Sequence, residues 1–180
     1  MNNIIEKSVR LAFSAHEGQT RKTGNLPYII HPFMVALKLA KYDFPDSVIA
    51  AALMHDVIED TDLQEDVIRA ELGEEVLEIV KAVTNDDSLP WEEKKKKYVE
   101  SVRHGPEGAK AVAVADKIHN IESLLIAHSA QGPGVWQKFN RGKEQKLWFE
   151  NEVLSMLKAT WSHPLIEEYE NLLEQEANLE

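Results

Sequence analysis

Three short stretches of this chain carry side chains able to bind a cation and to work on phosphorus. Residues 55–60 read HDVIED, directly after the apolar run IAAALM. On a helix, His55 and Glu59 stand four apart, as do Asp56 and Asp60, so all four side chains crowd one side of one helix end. Three carboxylates and an imidazole that close resist burial without a counter-charge. A divalent cation supplies one, and mixed imidazole and carboxylate donors suit Mn, Fe, Co, Ni or Zn better than Ca or Mg. A solvated acidic helix end with a stray histidine is the plainer reading; the apolar run ahead of it argues for the core instead.

The second stretch is AVAVADKIHNIESLL, residues 111–125. Asp116 follows five small apolar residues and should be at least partly buried, where a carboxylate needs a base or a metal. Lys117 is the alternative partner. Asn120 and Ser123 follow on the same helical face. The third stretch is PYIIHP, residues 27–32, with His31 at a loop-to-helix junction. Alone, His31 would be a cap or a packed core residue. Together, His31, His55, Asp56 and Asp116 make a His₂Asp₂ set drawn from three segments.

Helices must position these groups. Helical spacing puts Ile5, Val9, Ala12 and Phe13 on one side of residues 3–16. Residues 17–27 (EGQTRKTGNLP) read as a loop. Pro32 can open a helix through Lys41, and Pro45 with Asp46 another through Ile58. Asp62 and Glu65 have capping-box spacing, and Gly73 separates that helix from one over 74–84. Further helices are expected from about Pro90 to Arg103, 109 to 128, 135 to 160 and 164 to 176, the last capped by Ser162. Little period-two alternation is present, so the expected fold is all-α, a single-domain helical bundle of nine or so helices.

Composition narrows the chemistry. The 180 residues carry a net charge of −11, which argues against nucleic acid as a partner. A cation and a few local bases can still reverse the potential inside one cleft, so a small phosphorylated substrate is compatible. No apolar stretch reaches a membrane span. Zero cysteines exclude a thiolate site and fit a reducing, cytoplasmic setting. The sequence leaves the oligomeric state open.

The chain resembles the HD phosphohydrolases and, within them, the hydrolase domain of the RelA/SpoT alarmone enzymes. Four blocks match in order: AHEGQTRKTGNLPYIIHP, IAAALMHDVIEDTD, LGEEVLEIVKAVTND and ADKIHNIESL. The likeness covers residues 10–128 well and is similar in extent to the small stand-alone alarmone hydrolases. It implies one HD domain over residues 1–180, with a motif-bearing core at about 10–128 and C-terminal helices at about 135–176. It implies metal ligation by His31, His55, Asp56 and Asp116, usually of Mn²⁺. Glu59 and Asp60 match the acidic pair that positions and activates water, while Arg21 and Lys22 match the basic pair beside the nucleotide. Asn120, and Ser123 in place of a threonine, match substrate contacts. The family reaction removes the 3′-pyrophosphate of (p)ppGpp. Ala113 and Glu122 depart from the pattern, standing where lysine and arginine are often found, and leave open another nucleotide or nucleoside phosphate. A non-catalytic nucleotide-binding module is a further alternative, opposed by the intact donors and acidic pair. Lys94, Lys95, Lys96 and Lys97 could reach phosphates or form a solvated helix face.

Overall fold

The computed structural model describes residues 4–21, 26–139 and 141–180, and within them the chain is all-α. The elements are α1 (Ile4–Ala15), α2 (Ile30–Lys41), α3 (Asp46–Met54), α4 (Val57–Asp60), α5 (Glu65–Leu72), α6 (Glu74–Val83), α7 (Trp91–His104), α8 (Glu107–Gln131), a 3₁₀ helix (Gly132–Lys138), α9 (Gly142–Thr160) and α10 (Pro164–Ala177). The extended contact among the described residues is an isolated bridge between Thr20 and Pro27. No helix among them is long and apolar enough to cross a membrane.

α3 is the axis of the bundle. Val48 and the run Ala50 to Met54 are buried, and the helix packs against α1, α2, α6 and α8. A helix apolar on every side must be enclosed, and its alanines combine high helix propensity with room for close neighbours. α8 crosses beside it, with residues 109–116 buried. Gly108 permits that approach: a Cβ there would stand 2.8 Å from Ile79 Cδ1 and 3.0 Å from Val48 Cγ2.

The helix expected over 45–58 is interrupted at the residues that matter most. α3 ends at Met54, His55 and Asp56 form a turn, and α4 begins at Val57. Asp56 has φ −97° and ψ −5°. Neighbouring side chains on a continuous helix diverge by about 100°. The turn lets His55 Nε2 and Asp56 Oδ2 converge to 3.2 Å.

Other boundaries also moved. α2 starts at Ile30, so His31 lies in its first turn. Residues 135–160 divide into the 3₁₀ helix and α9, which opens at Gly142 with φ 72°. Phe13 is exposed, because α1 turns Ser8 and Ala12 inward instead. Asp62 does not cap α5, whose N-cap position is Gln64 without a side-chain bond. The α10 cap is His163, whose Nδ1 accepts from the Leu165 amide at 3.2 Å, and not Ser162.

Candidate active site

The four expected donors meet where α2, the α3–α4 turn and α8 converge. His31 and His55 are buried almost completely. Their Nε2 atoms lie 3.2 Å apart. Asp116 Oδ1 stands 3.1 Å from His31 Nε2 and 3.8 Å from His55 Nε2. Asp56 Oδ2 stands 3.6 Å and 3.2 Å from the same two nitrogens. His31, His55 and Asp116 have ligand atoms within 4.8 Å of one another, and Asp56 joins them through the imidazoles.

These spacings test whether a cation fits. With bonds of about 2.1 Å, neighbouring donors sit about 3.0 Å apart in an octahedron and about 3.4 Å apart in a tetrahedron. Three of the observed separations, 3.1, 3.2 and 3.2 Å, fall in that range, and the other two, 3.6 and 3.8 Å, lie a few tenths of an ångström beyond it. The set contains two nitrogens and two carboxylate oxygens, buried together, as a borderline divalent cation requires.

Each donor is held from behind. His55 Nδ1 faces the Ala52 carbonyl oxygen at 2.8 Å. His31 Nδ1 faces His119 Nδ1 at 2.6 Å. The Tyr28 hydroxyl donates to Asp56 Oδ2 at 2.7 Å. Asn120 Nδ2 donates to Asp116 Oδ1 at 2.6 Å, and Lys117 donates to Asp116 Oδ2 at 2.8 Å. The lysine expected as an alternative to a cation thus binds the outer oxygen, and the inner oxygen still faces the histidines.

The electrostatics reflect this crowding. Burial opposes a charged His55, yet the carboxylates of Asp56 and Asp116 raise it to about 9. Burial lowers His31, against the pull of Asp116. Burial and the neighbouring His31 bring His119 down to about 4. Burial resists ionisation of Asp116, but Lys117 and the two histidines hold it well below the usual carboxylate range.

A cleft of about 610 Å³ opens beside this cluster, lined by residues that bond the donors and by none of the four donors themselves, a volume suited to a nucleotide-sized ligand. Tyr28, Lys117 and Asn120, which grip the ligand carboxylates, are part of its wall. Arg21, Lys95 and Lys146 add positive charge, and Leu124, Phe139 and Phe149 form an apolar end. Arg21 donates to Asn120 Oδ1 at 2.9 Å and lies over the Tyr28 ring. Burial and nearby Lys117 lower Lys95 to about 8.

The remaining expected residues divide. Asp60 lines the cleft, and burial with the charge of Asp56 raises its pKa. Glu59 turns toward the loop after α6, where its Oε2 accepts from the Asn85 backbone N–H at 3.0 Å and from Asn85 Nδ2 at 2.9 Å. Ser123 is half-buried and is not among the cleft residues. Lys22 lies outside the described residues. Of the lysine run, Lys95 enters the cleft while Lys94 and Lys97 pair with Asp87 and Asp86. Neither departure from the family pattern reaches the cleft: Ala113 is wholly buried, and Glu122 pairs with Lys38 at 3.0 Å.

Several functional candidates carry no sequence signal of their own. His119 sits in the same block as Asp116, and only its helical position separates an outward role from an inward one. Lys117, expected only as a partner of Asp116, also lines the cleft. Lys146 and Glu150 come from α9, outside the four matching blocks and the motif-bearing core at about 10–128. Lys146 binds the carboxylates of both Glu150 and Glu176, and burial pushes Glu150 up to about 8. No local motif marks that cluster.

Known proteins match this arrangement. A family model described as HD domain matches residues 8–141. The guanosine-3′,5′-bis(diphosphate) 3′-pyrophosphohydrolase MESH1 of Mus musculus is 41% identical over 112 residues, 61% of this chain and 63% of that protein. Its Danio rerio counterpart is 38% identical over 124 residues, 67% of this chain and 69% of that protein. The guanosine-3′,5′-bis(diphosphate) 3′-pyrophosphohydrolase of Vibrio cholerae is 41% identical over 131 residues, 73% of this chain but 17% of that protein. The aligned segment therefore spans less than two thirds of the mouse and Vibrio proteins. A solved structure described as a metazoan ortholog of SpoT that hydrolyzes ppGpp superposes with a TM-score of 0.82 at 27% identity, covering 98% of this chain and 97% of that one.

Proposed function

The chain belongs to the HD-domain family, and on that premise we propose that it is a metal-dependent (p)ppGpp 3′-pyrophosphohydrolase, releasing GDP or GTP and pyrophosphate. The observation that carries this reading is the juxtaposition of a four-donor acidic cluster with a cleft lined by Arg21, Lys95, Lys117 and Lys146. The chain as a whole is strongly acidic, so four bases on one concave surface make a local field suited to a polyphosphate. The sequence likeness to curated pyrophosphohydrolases and the near-full-length superposition support the same substrate class.

His31, His55, Asp56 and Asp116 would hold a divalent cation, with Mn²⁺ proposed as the resident ion. When bound, it supplies a Lewis acid that offsets phosphoryl charge and makes a water easier to deprotonate. The basic wall orients the 3′-diphosphate and offsets the charge that builds on its oxygens. Glu59 and Asp60 take the proton from the attacking water, with Asn85 fixing Glu59. Water adds to the phosphorus on the ribose 3′-oxygen, the bond to that oxygen breaks, the oxygen takes up a proton in place of the one the water gave to the carboxylates and becomes a hydroxyl, and pyrophosphate departs. Arg21 and Asn120 border the nucleoside portion; for Lys22 the same role is proposed on the family resemblance alone. Ser123 would contribute only at the rim.

The C-terminal helices belong to the same working unit as the motifs, because α9 contributes Lys146 and Phe149 to the cleft. The positions of Ala113 and Glu122 away from the cleft remove the main argument for another nucleotide. The reading places the reaction in the cytoplasm, on the absence of cysteine.

A substrate panel tests it. Purified protein with Mn²⁺ should convert ppGpp to equal amounts of GDP and pyrophosphate and leave nucleoside monophosphates intact. Rapid turnover of a monophosphate with none of ppGpp would move the chain to another branch of the family. Tight ppGpp binding without turnover would make it a binding module.

A further inference from the structure

The two histidines of the cluster are held in different ways. His55 Nδ1 faces a carbonyl oxygen at 2.8 Å. That partner can only accept, so Nδ1 carries a hydrogen whatever the state of Nε2, which faces the carboxylates of Asp56 and Asp116. His31 Nδ1 instead faces Nδ1 of another imidazole, His119, at 2.6 Å. The ring centroids lie 4.9 Å apart with planes inclined by 27°. That separation is the 2.6 Å contact plus two centroid-to-nitrogen distances of about 1.2 Å each. The rings therefore meet edge to edge in nearly one plane, the geometry of an N–H···N bond and not of a stack.

One hydrogen lies between those two nitrogens, and either ring can own it. If His31 carries its hydrogen on Nε2, it donates to Asp116 Oδ1 at 3.1 Å, and its Nδ1 accepts from His119. If a cation takes the Nε2 lone pair, the His31 hydrogen must sit on Nδ1, and His119 becomes the acceptor. In the second state the hydrogen that His31 loses from Nε2 is balanced by one that His119 gains on its own Nε2, and the Nδ1···Nδ1 bond is kept in both states. A carbonyl in place of His119 would serve only the second state, and a lysine only the first. Asp116 and His119 stand one turn apart on α8, so a single helix face addresses both nitrogens of His31.

We infer that His119 is a positioning residue that keeps the His31 ring oriented through both of its tautomers, letting Nε2 pass from Asp116 to a divalent cation without loss of the Nδ1 hydrogen bond. This inference rests on the divalent-cation reading of the cluster. It assigns His119 no contact with substrate.

The test compares wild type with His119→Leu, which can neither donate nor accept, and His119→Asn, whose amide can do either near the same place. Isothermal titration with Mn²⁺ should give a 10- to 100-fold weaker affinity for the leucine variant, the usual loss for a missing outer partner of a metal-bound histidine. The asparagine variant should recover most of that loss. Circular dichroism melting checks that both variants fold. Long-range ¹H–¹⁵N spectra of the imidazoles, with diamagnetic Zn²⁺ as the probe, should place the His31 hydrogen on Nε2 before loading and on Nδ1 after it. Wild-type Mn²⁺ affinity in a folded leucine variant, or a His31 already protonated at Nδ1 before loading, would overturn the inference alone. A wild-type protein that takes up neither cation would overturn the metal-centre reading and this inference together.

Discussion

The two sides of the cleft are built on opposite plans. On the cation side, the four donors come from compact sequence blocks, and their partners are mostly near neighbours: Ala52 behind His55, and Lys117 and Asn120 around Asp116. On the basic side, Lys95, Lys117 and Lys146 come singly from α7, α8 and α9. Aromatic faces steady them as much as carboxylates do. Lys95 lies 4.7 Å from the Phe149 ring centroid, Lys117 5.0 Å from Phe149 and 5.1 Å from Tyr98, and Lys146 5.7 Å from Phe139. A ring face attracts an ammonium without neutralising it; Lys95, whose other partner is the neutral Asn85 Oδ1, keeps its charge available for an anion, whereas Lys117 and Lys146 also hold carboxylates. The donor cluster has the reverse need, since its carboxylates hold a proton on His55 until a cation replaces it. Each side is electrostatically incomplete alone, and a metal with a phosphate completes both.

Substitutions should separate the two sides. Asp56→Ala should have the largest effect, because it removes a donor and its negative charge together. Mn²⁺ binding in calorimetry should disappear, and turnover should fall about a thousandfold or more, the consequence of several kcal/mol of lost Lewis-acid stabilisation. The fold should persist, since an acidic cluster is relieved. Glu59→Gln should keep Mn²⁺ affinity yet lower kcat by about 10²-fold or more; near-wild-type kcat would remove Glu59 from the proton transfer. Lys95→Met should act mainly on KM, raising it about tenfold through one lost charged contact, with Mn²⁺ affinity unchanged. If Lys95→Met weakened Mn²⁺ instead, the division between the sides would fail.

Acidity offers a gentler probe of the cation side. Ligation needs neutral His55, whose folded pKa is raised to about 9. Below that value each bound cation must displace a proton, so apparent Mn²⁺ affinity should climb with pH, by up to about tenfold per unit, and level off above it. A flat profile between pH 6 and 8 would contradict this assignment. The smallest effect belongs to Glu122→Gln. Lys38 would retain Glu168 at 2.6 Å, and kcat/KM should stay within about twofold of wild type, as for substitutions remote from a site.

The same contrast explains what could be read from the sequence. The convergence of His31, His55, Asp56 and Asp116 was legible because groups able to bind a cation are particular residue types, and HDVIED, ADKIHN and PYIIHP present them within buried helical patterns. The turn at His55 and Asp56 was not, because no glycine or proline marks it and helical spacing alone implied a continuous helix. Glu59 and Asp60 looked equivalent by spacing, but one faces Asn85 and the other the cleft. Lys95 was indistinguishable from the lysines around it, since only packing against Phe149 turns it inward. The apparent conflict at Glu122 dissolved for a similar reason: its position on α8 directs it to Lys38 and α10.

The most direct test of the account follows wild-type protein stripped of metal by EDTA, then restored with Mn²⁺, in the presence of ppGpp. The account predicts no pyrophosphate from the stripped protein, and release of pyrophosphate and GDP in equal amounts once Mn²⁺ is added back. Equal turnover before and after metal restoration would contradict it.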